Sequence, residues 1–378
     1  MQPIRILQVM ASLDRGGAET YLMNIYRAIN KDKVQFDFVV NSNQQEYAYE
    51  QEIKDLGGRI YRMENYRIVN SISYRNSWKR LLTEHPEWKI IHGHHTSPAF
   101  IYLSVAKRLE RITIAHSHTA GGTLSIKSQI KRLLRYPSRH LADHLFACSK
   151  LAAKWMFGEL HNRTTIINNA IDSSKFVFDE KKRMDKRQEL GIGDCFVIGH
   201  VGRFSTQKNH EFAVRVFQEV HVEAKNSVLL LVGDGGTRKD IEMLVNKLNL
   251  TGKVIFTGVR SDIPELMMAM DVFLFPSLFE GLPLTLIEAQ ASGLKCIVAD
   301  SVSSEAKITD QVQFLSLDES PKYWAKRILE HIGGYERPDC SKHISEMGYD
   351  VRGNSQLLEE LYLELYRRSC GNGATSGF

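Results

Sequence analysis

Short apolar runs rich in Val, Ile and Phe alternate along this chain with longer stretches whose apolar residues recur at helical spacing. Runs too short for helices and bounded by polar turns predict buried strands. Their regular alternation with helices predicts parallel sheets wrapped by helices, an α/β fold class. In the first half the strands fall at Ile4–Met10, Phe36–Val40, Ile90–His92, Ile112–Ala115, His144–Ala147 and Thr165–Ile167. A charge-dense segment, Asp172 to Gly193, containing DEKKRMDKRQELGIG, then breaks the pattern and is placed as a domain junction. The second series runs Phe196–Val201, Val228–Val232, Val254–Phe256, Val272–Phe275 and Cys296–Ala299, so each half stands as a Rossmann-like unit. A helix is predicted around Tyr323–Ile332. Leu357, Leu358, Leu361 and Leu365 predict a terminal helix over Ser355–Arg368, followed by a frayed tail, Cys370–Phe378.

At 378 residues the chain exceeds what one hydrophobic core usually covers, which favours the same division into two domains. A composition of 43% hydrophobic and 25% charged residues is that of a soluble globular protein. A net charge of +5 favours anionic ligands or a membrane surface but is too small to point to nucleic acid. Five widely spaced cysteines with no CxxC pair argue against disulfides and a structural metal. The amino terminus reads as a first strand rather than a signal peptide, and no stretch approaches the roughly 20 apolar residues of a membrane span. The expected location is the cytoplasm.

Four segments carry candidate chemistry. Gly16 and Gly17 stand at a strand-to-helix turn, where free N–H groups and the helix dipole suit an anion, or form a tight turn without a ligand. They lack the GxGxxG and GxxxxGK[ST] spacings, which argues against a standard NAD site or P-loop. After strand Phe196–Val201 comes Gly202-Arg203-Phe204-Ser205-Thr206-Gln207-Lys208-Asn209, with Arg203 and Lys208 able to clamp a diphosphate or simply be solvated. The segment Phe275 to Ala289 then places Glu280 on a loop and Glu288 inside an apolar helix beginning near Thr285. A carboxylate there needs a partner; a ribose diol would supply two donors, and a structural ion pair or a helix-capping interaction is the alternative. Gly281 opens the turn of this second anion cradle. In the first half, His92, His94, His95, His116 and His118 gather near the ends of two strands, as a metal or sugar-hydroxyl site or as structural histidines. No DxD pair accompanies them, so no catalytic metal is expected. Lys127, Lys131, Arg132, Arg135 and Arg139, interleaved with apolar residues, read as a basic amphipathic helix for anionic lipid or as a solvated face, shortened by Pro137.

Together these motifs resemble the retaining family 4 glycosyltransferases of GT-B fold, especially those of exopolysaccharide or capsule synthesis. The likeness covers nearly the whole chain: the GGAE turn at Gly16–Glu19, the HSH at His116–His118, the linker Asn169-Ala170-Ile171-Asp172, the GRF and KN of the second-half loop, and above all Glu280-x7-Glu288. Ala170 where the family commonly has Gly, and Lys295 in place of a frequent Pro, are departures away from the chemistry. The resemblance implies two Rossmann-like domains facing across a cleft, with the terminal helix packing back toward the amino-terminal one. Residues 1–171 would bind the acceptor, 172–345 the nucleotide sugar, and 346–378 form the helix and tail. It also implies roles. His118, with His116 a weaker candidate, would contact the donor sugar, Arg203 and Lys208 would neutralise the leaving diphosphate, and Glu280 would hold sugar hydroxyls. Glu288 would hold the ribose, Gly258 and Val259 would flank the base, and Gly16 and Gly17 would approach the diphosphate or acceptor. Backbone N–H groups of Gly281, Leu282, Pro283 and Leu284 would complete a phosphate cradle in place of a metal.

The expected activity is metal-independent transfer of a hexose or hexosamine from a UDP-sugar, as substrate and with no cofactor, to a polyprenyl-diphosphate-linked or other glycan acceptor, with peripheral contact to the inner face of the plasma membrane. The rival readings are a nucleotide-sugar epimerase or phosphorylase on the same plan, and a catalytically silent module that binds nucleotide sugars. No nucleic-acid partner is expected.

Overall fold

The computed structural model describes residues 2–41, 46–95, 97–118, 136–280 and 282–371. It forms two compact units, Met1–Ala170 with Val351–Phe378, and Ile171–Asp350.

The first unit is built on seven parallel strands: β1 (Ile4–Met10), β2 (Val34–Asn41), β3 (Arg59–Met63), β4 (Ile90–Gly93), β5 (Ile112–Ser117), β6 (His144–Ala147) and β7 (Thr165–Ile166), in the order β3-β2-β1-β4-β5-β6-β7. Its central strands are buried on both faces, which is why they read as continuous apolar runs. The terminal helix Val351–Gly371 packs on helix Gly17–Ala28 and on β1, β2 and β4 of the same unit. Tyr362 is fully buried there, its ring edge-on to Phe36 with centroids 6.0 Å apart, and Glu359 pairs with Lys33 at 2.8 Å.

The second unit has six parallel strands: β8 (Phe196–Val201), β9 (Ser227–Val232), β10 (Val254–Gly258), β11 (Val272–Phe275), β12 (Lys295–Ala299) and β13 (Val312–Leu315), in the order β10-β9-β8-β11-β12-β13. The charge-dense segment expected to be a junction belongs to this unit. It contains helix Glu180–Leu190, opened by Asp179, whose carboxylate accepts the Lys182 N–H at 3.0 Å, and closed by Gly191 at φ 66°. Three of its cations are anchors rather than solvated charge. Arg183 and Arg187 each reach a different oxygen of Asp271 at 2.6 Å, while Lys186 meets Asp262 at 2.6 Å. Asp271 also accepts the Val197 N–H at 2.7 Å, tying the helix to the start of β8.

Among the described residues no helix is long and apolar enough to cross a membrane.

Candidate active site

In each sheet the strand order reverses direction once, between β1 and β4 and between β8 and β11. At such a point the loops leaving neighbouring strands diverge to opposite faces and open a crevice at their carboxyl ends, where α/β sheets take ligands. The predicted residues gather at these two places.

In the second unit, the loop after β8 turns through Thr206–Lys208 and reaches Asn209 at φ 54°, which starts helix His210–Glu223. The loop after β11 is held against it: Gln207 accepts the Leu278 N–H at 2.8 Å and donates its amide to the Phe279 carbonyl at 2.9 Å. Lys208 Nζ lies 2.7 Å from Glu280 Oε1 and 4.6 Å from the centre of the Phe275 ring. The Lys–Glu contact lacks the angles of a hydrogen bond, so Oε1 stays buried without one. Arg203 is exposed and has no carboxylate partner among the described residues. Helix Leu284–Ala291 begins after Pro283, and Glu288 stands in its second turn, 9% exposed. No side-chain hydrogen bond or ion pair reaches Glu288 among the described residues, and burial raises its pKa to about 7. Further polar atoms around these loops are buried without partners: His200 Nε2, both ring nitrogens of His210, Ser277 Oγ and Thr285 Oγ1. An unsatisfied buried polar atom costs about 1–3 kcal/mol, so a group of them at one sheet edge requires a reason.

In the first unit the histidines form one network. His92 Nδ1 meets the Tyr362 hydroxyl at 2.6 Å and its Nε2 meets His116 Nδ1 at 3.2 Å. His94 bridges His118 at 2.7 Å and Gln8 Oε1 at 2.9 Å; Gln8 donates in turn to Tyr362 at 3.3 Å, and His118 Nδ1 meets Asn169 Oδ1 at 3.0 Å. Burial holds all four imidazoles neutral, with His92 lowered to about 3, His118 to about 4, and His94 and His116 well below their ordinary value. His92, His94 and His116 each bring a nitrogen within 4.8 Å of the others. Their rings stack, however, with His92 tilted only 24° from His94 and 13° from His116. The ring nitrogens of His92 and His94 are already engaged within the protein, by Tyr362 and His116 and by Gln8 and His118.

A family model described as "Glycosyltransferase Family 4" matches residues 15–175, and one described as "Glycosyl transferases group 1" matches residues 195–333. The chain belongs to glycosyltransferase family 4. The transferase is 33% identical to the glycosyltransferase EpsF of Bacillus subtilis over 370 residues, covering 95% of this chain and 96% of that protein. It is 36% identical over 213 residues to the UDP-Gal:alpha-D-GlcNAc-diphosphoundecaprenol alpha-1,3-galactosyltransferase of Escherichia coli, covering 54% of each chain. Its fold matches the crystal structure of Anabaena HepE in complex with UDP, with a TM-score of 0.78 at 19% identity over 96% of this chain and all of that one. The transferase thus has the GT-B fold.

Other predicted residues of the transferase fall as follows. Gly258 ends β10 at φ 71°, and Val259 beyond it is 60% exposed. Leu282, Pro283 and Leu284 are buried, and Pro283 has no N–H to give, so the described donors before and at the helix start are Leu282, Leu284 and Thr285. Gly281 lies outside the described residues. Gly16 and Gly17 open helix Gly17–Ala28, but Glu19 folds its carboxylate over Gly16. That helix terminus therefore already faces an acid, which disfavours a second anion. His95 meets Asn41 at 3.2 Å, apart from the four-histidine network. Lys127, Lys131, Arg132 and Arg135 lie outside the described residues. Arg139, on the short helix Ser138–Leu141, stacks on Tyr136 at 4.1 Å and reaches the Met156 carbonyl at 3.4 Å, engaged with protein rather than projecting freely.

Sequence reasoning passed over the turn after β9, Gly233-Asp234-Gly235. Gly233 and Gly235 take φ of 134° and 156°, and a Cβ on either would strike the backbone of Gly202 or Phe204. Only glycine lets this turn press against the Arg203 loop, which Asp234 fixes by accepting the Phe204 N–H at 3.0 Å. Two glycines directly after an apolar run were the available signal.

Proposed function

We propose that the enzyme transfers a hexose or hexosamine from a UDP-sugar, with retention at the anomeric carbon and without a metal ion, to a polyprenyl-diphosphate-linked or other saccharide acceptor in bacterial surface-polysaccharide synthesis. The observation that carries the donor assignment is the group of unsatisfied polar atoms at the carboxyl ends of β8 and β11, with Glu288 unpartnered beside them in sequence. A nucleoside diphosphate sugar offers what they lack. Its ribose diol has two donors for Glu288 and its sugar hydroxyls suit Glu280. Its diphosphate oxygens accept from Arg203, Lys208 and the free N–H groups of Leu284 and Thr285. As the bond from the anomeric carbon to the diphosphate oxygen breaks, negative charge grows on the leaving group, and fixed cations stabilise it there. Gly258 and Val259 would flank the base. In the first unit, His118 is held at Nδ1 by Asn169 and at Nε2 by His94, so it would reach the donor sugar or the acceptor hydroxyl by exchanging one of those bonds for the substrate's. The names of the two relatives above, one acting on UDP-Gal and a diphosphoundecaprenol-linked sugar and one crystallised with UDP, support the choice of uracil and of a lipid-linked acceptor.

Calorimetric titration with UDP, GDP, ADP and NAD tests this. UDP is expected to bind selectively, and Arg203→Ala to weaken it about tenfold or more, the weight of one charge-assisted contact. Equal binding of all four nucleotides, or of none, would overturn the assignment.

A further inference from the structure

The surface following β3 is unlike the rest of the amino-terminal unit. A 3-10 turn, Ile68–Asn70, leads into helix Ser71–Glu84, which buries Tyr74, Trp78 and Leu82 and turns its other face outward. On that outer side Ile68, Val69 and Ile72 are 65%, 92% and 80% exposed. Three large β-branched side chains exposed next to one another form an apolar tip rather than scattered surface residues.

Cations surround the tip. At about 100° per residue, Lys79 falls within about 20° of Ile72 on the helix, with Arg75 and Arg80 flanking that line and Arg67 just before the turn. None of these four cations has a carboxylate partner among the described residues, and the only acids between positions 64 and 84 are the two at its ends, Glu64 and Glu84. Had the face evolved to meet a protein, an apolar tip ringed by unpaired charge of a single sign would demand an equally acidic partner. A bilayer with anionic headgroups supplies both terms at once, hydrocarbon for the tip and phosphate for the ring.

We propose that the face formed by Arg67, Ile68, Val69, Ile72, Arg75 and Lys79 docks the enzyme on an anionic lipid surface. The apolar side chains enter the headgroup boundary, and the guanidinium and ammonium groups, with Arg80, sit among the phosphates. Each cation adds about fivefold to partitioning, about 1 kcal/mol. The proposal rests on residues other than Lys127–Arg139, and it does not depend on the identity of donor or acceptor.

The test is cosedimentation of the full chain with vesicles of phosphatidylcholine mixed with phosphatidylglycerol and with vesicles of phosphatidylcholine alone, without nucleotide. The protein is expected to bind the mixed vesicles, to be released by salt, and to bind the neutral ones weakly. Ile68→Ser/Val69→Ser/Ile72→Ser is expected to lose about tenfold or more of the binding, and Arg67→Gln/Arg75→Gln/Lys79→Gln/Arg80→Gln about 10²–10³-fold. Both should keep the wild-type melting temperature and UDP affinity; should either fail to fold, Val69→Asp, at a site 92% exposed, replaces it. Wild-type protein that ignores the mixed vesicles, variants that bind like wild type, or loss only in Lys127→Gln/Lys131→Gln would overturn the proposal. So would a concentration-dependent dimer that the triple serine variant abolishes, since the face would then join two copies.

Discussion

The two sheets carry their polar residues at equivalent places and treat them in opposite ways. At the β1/β4 switch, His92, His94 and His118 spend both ring nitrogens on each other and on Gln8, Tyr362 and Asn169. Among the described residues there, His116 Nε2 and the hydroxyl of neighbouring Tyr21 are left over. At the β8/β11 switch the deficits accumulate: His200, His210, Ser277, Glu280 and Thr285 each hold a buried atom without a hydrogen bond, and Glu288 is a buried acid without a partner. A network satisfied in the free protein fixes geometry. A network left wanting holds its interaction energy for a ligand, at a cost to the free protein. The comparison assigns orientation to the first unit and ligand affinity to the second, and both halves of that division can be broken.

The largest effect is expected at the pair that joins the two loops of the second unit. Lys208→Ala removes a cation from the leaving group and strands Glu280, so kcat should fall about 10²–10³-fold, the usual loss when one electrostatic stabiliser is removed. Glu280→Gln keeps the shape and leaves Lys208 free, and should lower activity by a similar factor with little change in melting temperature. Measured against any acceptor that turns over, retention of more than about a tenth of wild-type kcat by both variants would remove this pair from the chemistry.

Next in size is the response of the first unit to acid. His92 and His118 have folded-state values near 3 and 4, against about 6.5 in an unfolded chain. Below about pH 6.5 the unfolded chain takes up protons that the folded network refuses, so stability is intact at neutral pH and is lost as pH falls. The slope is about 1.4 kcal/mol per pH unit for each group, reaching about 2–3 kcal/mol for these two near pH 5.5. In the second unit His200, lowered to about 4, and His210, lowered to about 2, act in the same direction, against four such histidines in the first, while Glu288, raised to about 7, gains stability as pH falls through that window. The first unit should therefore soften first. Trp78 and Trp88 are buried in it, so urea unfolding followed by tryptophan fluorescence near pH 7.5 and near pH 5.5 reads the difference. A midpoint that does not move would show that the histidines are protonated without penalty, and the idea of a closed, neutral scaffold would fail.

These contrasts also explain what the sequence let one read. The central strands were legible because burial on both faces makes them apolar throughout, as in Phe196–Val201. The edge strands β3 and β13 were not: Arg59–Met63 carries two arginines in five residues and buries only Met63, and Val312–Leu315 is half covered with Gln313 inside it. The charge-dense stretch marked where the second unit begins, but composition records charge and not its partners, and the arginines of helix Glu180–Leu190 are bound to Asp271. Among the candidate residues, those on one local motif, Lys208, Glu280 and Glu288, were visible by spacing. Gln8 and Tyr362, more than 350 positions apart, were invisible as partners until the terminal helix was seen on the first sheet. The Gly233–Gly235 turn escaped notice because its requirement comes from the neighbouring loop and not from its own residues.

The smallest effect is the most discriminating, because it separates a ligand-seeking acid from a merely buried one. With a pKa raised to about 7, Glu288 is about half protonated at neutral pH in the free enzyme. Only the ionised form offers both oxygens as acceptors to a ribose diol, so binding favours loss of the proton, and UDP affinity should fall up to about tenfold from pH 8 to pH 6. The terminal phosphate of UDP titrates in the same range, so the informative quantity is the difference between wild type and Glu288→Gln, which has no proton to lose there. The variant should bind UDP about tenfold more weakly at pH 8 and with a flatter pH profile. Its melting temperature at pH 8 should equal or exceed that of wild type, since a carboxylate held in an apolar helix destabilises the free protein. Weaker binding together with undiminished stability is the signature of a group kept for function. Were Glu288→Gln instead to melt lower and bind UDP as wild type does, the acid would belong to the fold, and the second unit would no longer differ in kind from the first.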